Sequence, residues 1–189
     1  MARIVVTEFV TLDGVVEDPG GSEKAPRGGW AFQFSRGEEG DRFKADETMN
    51  SDAMLLGRVT YEGFAEAWPG REGEFADRFN SMPKYVVSST LRDPQWTNTT
   101  VLDGDLAGAV TELRERPGGD VVVHGSAQLV QGLLAADLVD ELRLMVFPVV
   151  LGAGKRLFGP TDDKKPLRLT DSKVVGDGVA IMVYEPVRA

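Results

Sequence analysis

The chain has 189 residues, of which 42% are hydrophobic and 27% charged, proportions that exclude a disordered or fibrous protein. Its 30 acidic and 21 basic residues leave a net charge of −9, which argues against non-specific binding to nucleic acid or an anionic membrane. With no cysteine and one histidine it can build no disulfide framework, thiolate zinc site, cysteine nucleophile or multi-histidine metal centre.

Taken in chain order, Arg3–Phe9 (RIVVTEF) is β-branched and largely apolar, and reads as a first strand. A long irregular stretch follows, from about Thr11 to Arg36, broken by Pro19, Gly20, Gly21, Pro26, Gly28 and Gly29. Loops of that length inside compact chains are usually functional or disordered. Trp30, Phe32 and Phe34 alternate within it, and either cap a pocket or fold the loop onto the body. Glu38–Met49 reads as a helix and Ala53–Leu56 as a short buried strand running into Gly57. Val59–Ala67 and Glu72–Asn80 read as helices on either side of Trp68-Pro69-Gly70. Tyr85–Ser88 and Thr100–Leu102 follow as strands, and Leu106–Arg116 as a helix closed by Pro117-Gly118-Gly119. Val121–His124 is then a strand and Ala127–Ala135 an apolar helix. This alternation predicts an α/β fold with a mostly parallel sheet and helices on both faces.

The last third breaks the rhythm. Val139–Val150 is a long apolar run, either buried on both faces or part of a subunit contact. Leu167–Val175 and Val179–Val187 flank Gly176-Asp177-Gly178, a strong hairpin signal, so the sheet is expected to be mixed. No repeat or linker interrupts residues 1–189, which are taken as one domain. No stretch approaches the roughly 18 apolar residues of a membrane span. The opening MARIVVTEFV alternates like a strand and lacks a signal-peptide pattern, so the expectation is a cytoplasmic protein.

Ligands of α/β sheets sit at the carboxyl ends of strands, where loops lead into helix N-termini. Three junctions here have the composition of an anion cradle: Gly57-Arg58-Val59-Thr60, Ser88-Ser89-Thr90 and Gly125-Ser126-Ala127-Gln128. Each taken alone is also ordinary capping chemistry. Taken together, at successive strand ends, they point to a bound anion. Gly152-Ala153-Gly154 starts a dinucleotide fingerprint, but Leu157 stands at the third glycine; Gly154-Lys155 is followed by Arg156, so it is no P-loop. His124 reads as a packed residue more readily than as a base.

The segments TLDG (Thr11–Gly14), LLGRVTYE (Leu55–Glu62), VVSST (Val86–Thr90), VVVHGSAQL (Val121–Leu129) and LRLMVFPVVLGAGKRLF (Leu142–Phe158), in that order, resemble the dihydrofolate-reductase-like superfamily. Within it the match is to the reductase domain at the C-terminus of the bifunctional riboflavin-biosynthesis protein. The resemblance covers nearly the whole chain and implies a three-layer fold around a mixed sheet of roughly eight strands, with a C-terminal antiparallel hairpin. It also implies NADPH as cofactor and a homodimer. By position, Gly57, Arg58 and Thr60 match the segment holding the 2′-phosphate side of the cofactor, with Ser88 and Ser89 assisting. Gly125, Ser126, Ala127 and Gln128 match the turn under the pyrophosphate. Leu12, Asp13 and Gly14 match the mobile loop over the nicotinamide. The chain departs in having Gly125-Ser126 where the superfamily often has Gly-Gly, and without cysteine it cannot contain the zinc deaminase of the full protein.

The implied activity is an NADPH-dependent reduction of a small polar heterocycle, the pyrimidine-ribosylamine reduction of riboflavin synthesis being the best named candidate. Alternatives are a dihydrofolate-reductase-like or other carbonyl or imine reductase, and a non-catalytic nucleotide-binding protein. Asp13 is the candidate proton donor, against a plain turn role for its Asp-Gly pair. Trp30 and Asp41 are candidate substrate contacts. Lys24, Arg27, Arg36 and Arg42 are available for a substrate phosphate, or else form a solvated charged loop.

Overall fold

The computed structural model describes residues 1–116 and 118–188. Eight strands form one sheet: β1 (Arg3–Thr11), β2 (Ser51–Gly57), β3 (Lys84–Val87), β4 (Thr99–Leu102), β5 (Asp120–His124), β6 (Glu141–Phe147), β7 (Leu167–Val175) and β8 (Val179–Pro186). Their order is β4-β3-β2-β5-β1-β6-β8-β7. Pairing is parallel from β4 to β6, and antiparallel at β6–β8 and β8–β7. The helices are α1 (Gly37–Asn50), α2 (Arg58–Ala67), α3 (Glu74–Ser81), α4 (Leu106–Glu115) and α5 (Ala127–Ala135). Pro117, expected to help close α4, lies outside the described residues.

The strands alternate because successive side chains point to opposite faces. On β2, Ala53 and Leu55 join Val110, Leu113, Val130 and Leu133 of α4 and α5. Its other residues, Met54 and Leu56, meet Tyr61 and Phe79 of α2 and α3 on the far side. Truncating a side chain such as Leu55 or Leu133 to alanine would cost about 2–5 kcal/mol, the usual range for a buried leucine. The apolar run from Val139 yields a shorter strand, β6, that lies between β1 and β8, with Leu142, Leu144, Met145 and Phe147 buried within the chain and Val150 beyond it 65% exposed.

The long stretch after β1 is ordered by three aspartates. Asp13 accepts from the backbone N–H groups of Leu151 at 3.2 Å and Gly152 at 2.8 Å. Asp18, buried and at φ 48°, accepts from Glu23 at 3.0 Å and Ala25 at 2.9 Å. A Cβ at Gly28 would sit 2.1 Å from the Asp18 carboxylate, so this turn requires glycine. Asp177, in the β7–β8 turn, accepts from Ser35 N at 2.7 Å and donates its own N–H to Ser35 O at 2.8 Å. Those bonds fasten the end of the loop just before α1. A short 3-10 turn, Trp30–Gln33, folds onto Phe147, with the Trp30 and Phe147 rings 5.4 Å apart. The Gly152–Gly154 segment is a turn that pairs with the start of the loop, Val16 N donating to Lys155 O and Leu157 N to Gly14 O, both at 2.9 Å.

Candidate functional site

Register creates the site. β5 ends at His124 opposite Thr7, whereas β1 runs on to Thr11 beside β6 alone. Glu8 and Phe9 therefore border space where β5 has already turned away. A cleft of about 1360 Å³ opens there, along the carboxyl edge of the parallel strands. The openings of α2 and α5 form one wall, and the loop after β1 with α1 forms the other.

Gly57, Arg58, Thr60, Ser88, Ser89, Gly125, Ser126, Ala127 and Gln128 all line this cleft. Their packing explains the small residues. Ser126 takes a left-handed conformation (φ 66°, ψ 62°), and its Oγ accepts from Gly57 N at 2.8 Å and donates to Thr60 Oγ1 at 2.8 Å. A Cβ on Gly57 would lie 2.7 Å from that Oγ. Gly125 has φ 59°, and a Cβ there would meet Thr60 Oγ1 at 3.0 Å. The starts of α2 and α5 are thus locked side by side.

With its hydroxyl committed to that lock, Ser126 does not cap α5, and Gly57 has no side chain with which to cap α2. Neither helix has an acid in its first turn. The others differ: α1 opens with Glu38 and Glu39, α3 with Glu74 and Asp77, and α4 is capped by Asp105. A helix start offers unpaired N–H groups and a partial positive charge. Of the α-helices among the described residues, α2 and α5 alone leave that positive end without a side-chain acceptor or a first-turn acid. Arg58 adds a guanidinium, held here by Glu62 at 2.9 Å. Ser88 Oγ is engaged in its own turn, accepting from Leu91 N at 2.9 Å, while Ser89 is exposed.

The opposite wall differs in part from the expectations. Asp41 lines the cleft, paired to Arg36 at 2.7 Å. Trp30 does not line it; it is buried beneath the loop, its Nε1 donating to Glu17 O at 2.9 Å, while Ala31 and Phe32 reach the cleft. Phe32 is 75% exposed. Asp13 is also absent from the lining, and the proton expected from it is not available. Thr11 Oγ1 donates to its carboxylate at 2.6 Å, and with the Gly152 and Leu151 amides this holds the acid down at about 2. Asp13 is an ionised tie between two loops. Of the loop cations, only Arg36 lines the cleft; Lys24 is exposed, Arg27 donates to Leu151 O, and Arg42 lines a separate hollow of about 250 Å³ beside Glu47 and Arg143.

Among the lining residues that the sequence does not single out, four carry charge close to the β1 end of the cleft. Lys155 and Arg156 arrive from the turn that pairs with the loop, and Lys44 from α1. Lys44 Nζ donates to Thr7 Oγ1 at 2.8 Å and bridges to Glu47. Burial alone would raise the Glu47 carboxyl, but Lys44 by charge and hydrogen bond, together with His124 and Arg143, outweighs it and holds the acid below its ordinary value. The fourth is Glu8, only 5% exposed, whose Oε1 has no hydrogen-bond partner among the described residues. Burial pushes its carboxyl up to about 8, with Lys44 pulling the other way and Glu47 adding to the rise. His124 packs on Phe79 and Phe64, ring centroids 5.4 and 6.2 Å away, and burial holds it neutral, with a value near 3. It fits the packed role expected of it.

Sheet order, helix layers and cleft are those of an α/β protein of the dihydrofolate-reductase-like fold. The chain belongs to the RibD C-terminal domain family, which matches residues 2–181. Two Bacillus subtilis (strain 168) relatives, "Uncharacterized protein YyaP" and "Uncharacterized protein YwjB", are each 28% identical. The first alignment covers 96% of this chain and 94% of the relative, and the second 95% of each. A "Putative riboflavin biosynthesis protein" from Shewanella sp. PV-4 superposes with a TM-score of 0.79 at 22% identity, over 98% of this chain and 99% of that one. A pyrimidine reductase-like protein from Corynebacterium diphtheriae gives a TM-score of 0.69 at 14% identity, covering 99% and 92%.

Proposed function

We propose that the protein is a nicotinamide-dependent reductase that binds NADPH across the cleft and reduces a C=O or C=N bond of a small polar heterocycle. The observation that carries this reading is the pair of uncapped, acid-free helix starts, α2 and α5, locked side by side in a chain of net charge −9. Acids are plentiful in the chain, and these two helices have none in the first turn. The residues fit a dinucleotide on three counts. The cleft of about 1360 Å³ exceeds what an ordinary small ligand fills (roughly 300–1,000 Å³). Gly57 and Gly125 leave their backbone bare where a Cβ would collide. Arg58, Arg71, Lys155 and Arg156 supply cations around the opening.

In this reading the amides of Ala127 and Gln128 at the α5 start hold the pyrophosphate, and Arg58 with Thr60 at the α2 start holds the 2′-phosphate. When bound, the cofactor supplies hydride. The protein orients it and excludes water, and Phe32 with the Asp18-ordered loop walls the substrate end. Family membership supports a reductase, and the relatives named for riboflavin biosynthesis and pyrimidine reduction favour a pyrimidine-ribosylamine substrate. Arg36 and Lys44 are placed to meet an anionic group on it.

Titration of purified protein with NADPH and NADH, followed by nicotinamide fluorescence, tests the reading. NADPH is expected to bind at least ten times tighter than NADH, and to be oxidised on addition of a pyrimidine, pterin or carbonyl from a panel. Failure of NADPH to bind at millimolar concentration would overturn it.

A further inference from the structure

Glu8 is a misfit on β1. Its neighbours on the same face, Val6 and Val10, belong to the apolar core, and the strand is central. An apolar side chain of similar size would satisfy packing there without desolvating a carboxyl group. Instead the chain carries an acid that is 5% exposed, with Oε1 unpartnered among the described residues. It lines the cleft just beyond the end of β5, between the helix openings at Gly57 and Gly125 and the Lys44 ammonium of α1.

We propose that Glu8, at the buried floor of the cleft, is the proton donor of the reduction, working as a carboxylic acid. The proposal rests on the reductase reading above. Hydride from the dihydronicotinamide forms a C–H bond at the carbon of the C=N or C=O group, leaving the nicotinamide oxidised by two electrons. The π pair moves to the heteroatom, which takes the proton as the Glu8 O–H bond breaks. The charge of Lys44, which reaches β1 from the Thr7 and Phe9 side, partly offsets that of the carboxylate left behind, and water in the open cleft restores the proton. The charged groups that act on Glu8 are Lys44 and Glu47 of α1, and the titratable His124 of β5 stands in register with the adjacent Thr7. His124 is neutral, and Glu47 is already paired to Lys44 and Arg143. Burial, which lifts Glu8 to about 8, keeps it largely protonated at neutral pH and so able to donate. Asp13, the other acid near this end of β1, is ionised and tied down.

The test combines a titration of the apoprotein with kinetics of the Glu8→Gln variant. With 13C-labelled glutamate carboxyls followed by NMR, one resonance is expected to titrate near pH 8 in the wild type and to be missing from Glu8→Gln. Glu8→Gln should bind NADPH within twofold of wild type and melt no lower, yet turn over roughly 10²–10⁴-fold more slowly. Wild-type kcat should fall as pH rises through about 8, and the residual rate of the variant should not. Glu8→Asp, which keeps the acid but shortens its reach, should recover part of the rate. A Glu8 resonance titrating at pH 4–5, or near-wild-type turnover by Glu8→Gln, overturns the donor role and leaves the reductase reading standing. A wild type that neither binds NADPH nor reduces any substrate of the panel overturns both.

Discussion

Helices α4 and α5 share a face of the sheet and bury the same kinds of residue, Val110 and Leu113 from one, Val130 and Leu133 from the other. They begin in opposite ways. At α4, Asp105 sits at the N-cap and its Oδ2 accepts from Gly108 N at 2.7 Å, closing the helix start on itself. At α5 the equivalent position holds Ser126, equally capable of capping, but its hydroxyl reaches sideways to Gly57 and Thr60 instead. The same residue class thus serves stability in one place and leaves an unpaired positive end in the other, and that end opens on the cleft. Where a protein declines an available cap is therefore informative about where it keeps room for a ligand.

The comparison breaks most sharply if α5 is made to resemble α4. Ala127→Asp places a carboxylate in the first turn of α5. By like-charge repulsion it is expected to weaken NADPH by roughly 3 kcal/mol or more, measured by calorimetric titration, with the melting temperature held or raised. Unchanged affinity would mean that no phosphate sits there. Arg58→Ala should cost NADPH roughly 1.5–3 kcal/mol, the range for a charge-assisted hydrogen bond, and NADH far less. Equal losses for both cofactors would return Arg58 to its pairing with Glu62.

A second contrast lies between two buried, unpartnered groups, Glu8 and His124. Glu8 holds its proton in the folded state up to about pH 8, whereas an unfolded glutamate has lost it by about 4.5. Its contribution to stability is therefore complete below pH 4.5 and lost as pH rises toward 8. His124 has the opposite sign. The folded state refuses a proton that the unfolded chain takes up below about 6.5, so stability falls as pH drops from 6.5 toward 3. The two windows overlap between about pH 4.5 and 6.5, where the opposed slopes cancel. Denaturant midpoints should therefore trace a dome with a flat top there, each flank no steeper than about 1.4 kcal/mol per pH unit. Glu8→Gln should flatten the alkaline flank and extend the acid slope up to about pH 6.5, and His124→Gln should flatten the acid flank and extend the alkaline slope down to about pH 4.5. The smallest change is expected from Asp105→Ala. Losing that cap should lower stability by about 1 kcal/mol in urea unfolding and leave NADPH affinity untouched.

Much of this architecture is legible in the sequence because its signals are local. The β-branched runs of β1 and β5 and the Gly176-Asp177-Gly178 turn need no tertiary partner to be recognised. The nine residues expected at the α2, β3 and α5 junctions come together on one cleft because strand ends of a parallel sheet converge. Legibility fails where a residue's role is set by what meets it across the fold. Asp13 next to glycine looks the same whether it tips a mobile loop or accepts from Leu151 and Gly152. Trp30 alternates with Phe32, yet one is buried against Phe147 and the other exposed. Lys44, Lys155 and Arg156 read as ordinary surface charge until the topology brings them to the cleft. One signal for Glu8 was available: an acid at an inward position of a central strand, flanked two residues away on each side by valine.

The claim on which the rest depends is that the uncapped starts of α2 and α5 bind the phosphates of a dinucleotide. Backbone amide shifts of 15N-labelled protein, followed during titration with NADPH, test it residue by residue. The account predicts saturable shifts concentrated at Arg58, Val59, Ala127 and Gln128, with the amides of Ala107 and Gly108 at the capped start of α4 unmoved. Shifts absent from both α2 and α5, or no larger there than at α4, would contradict it.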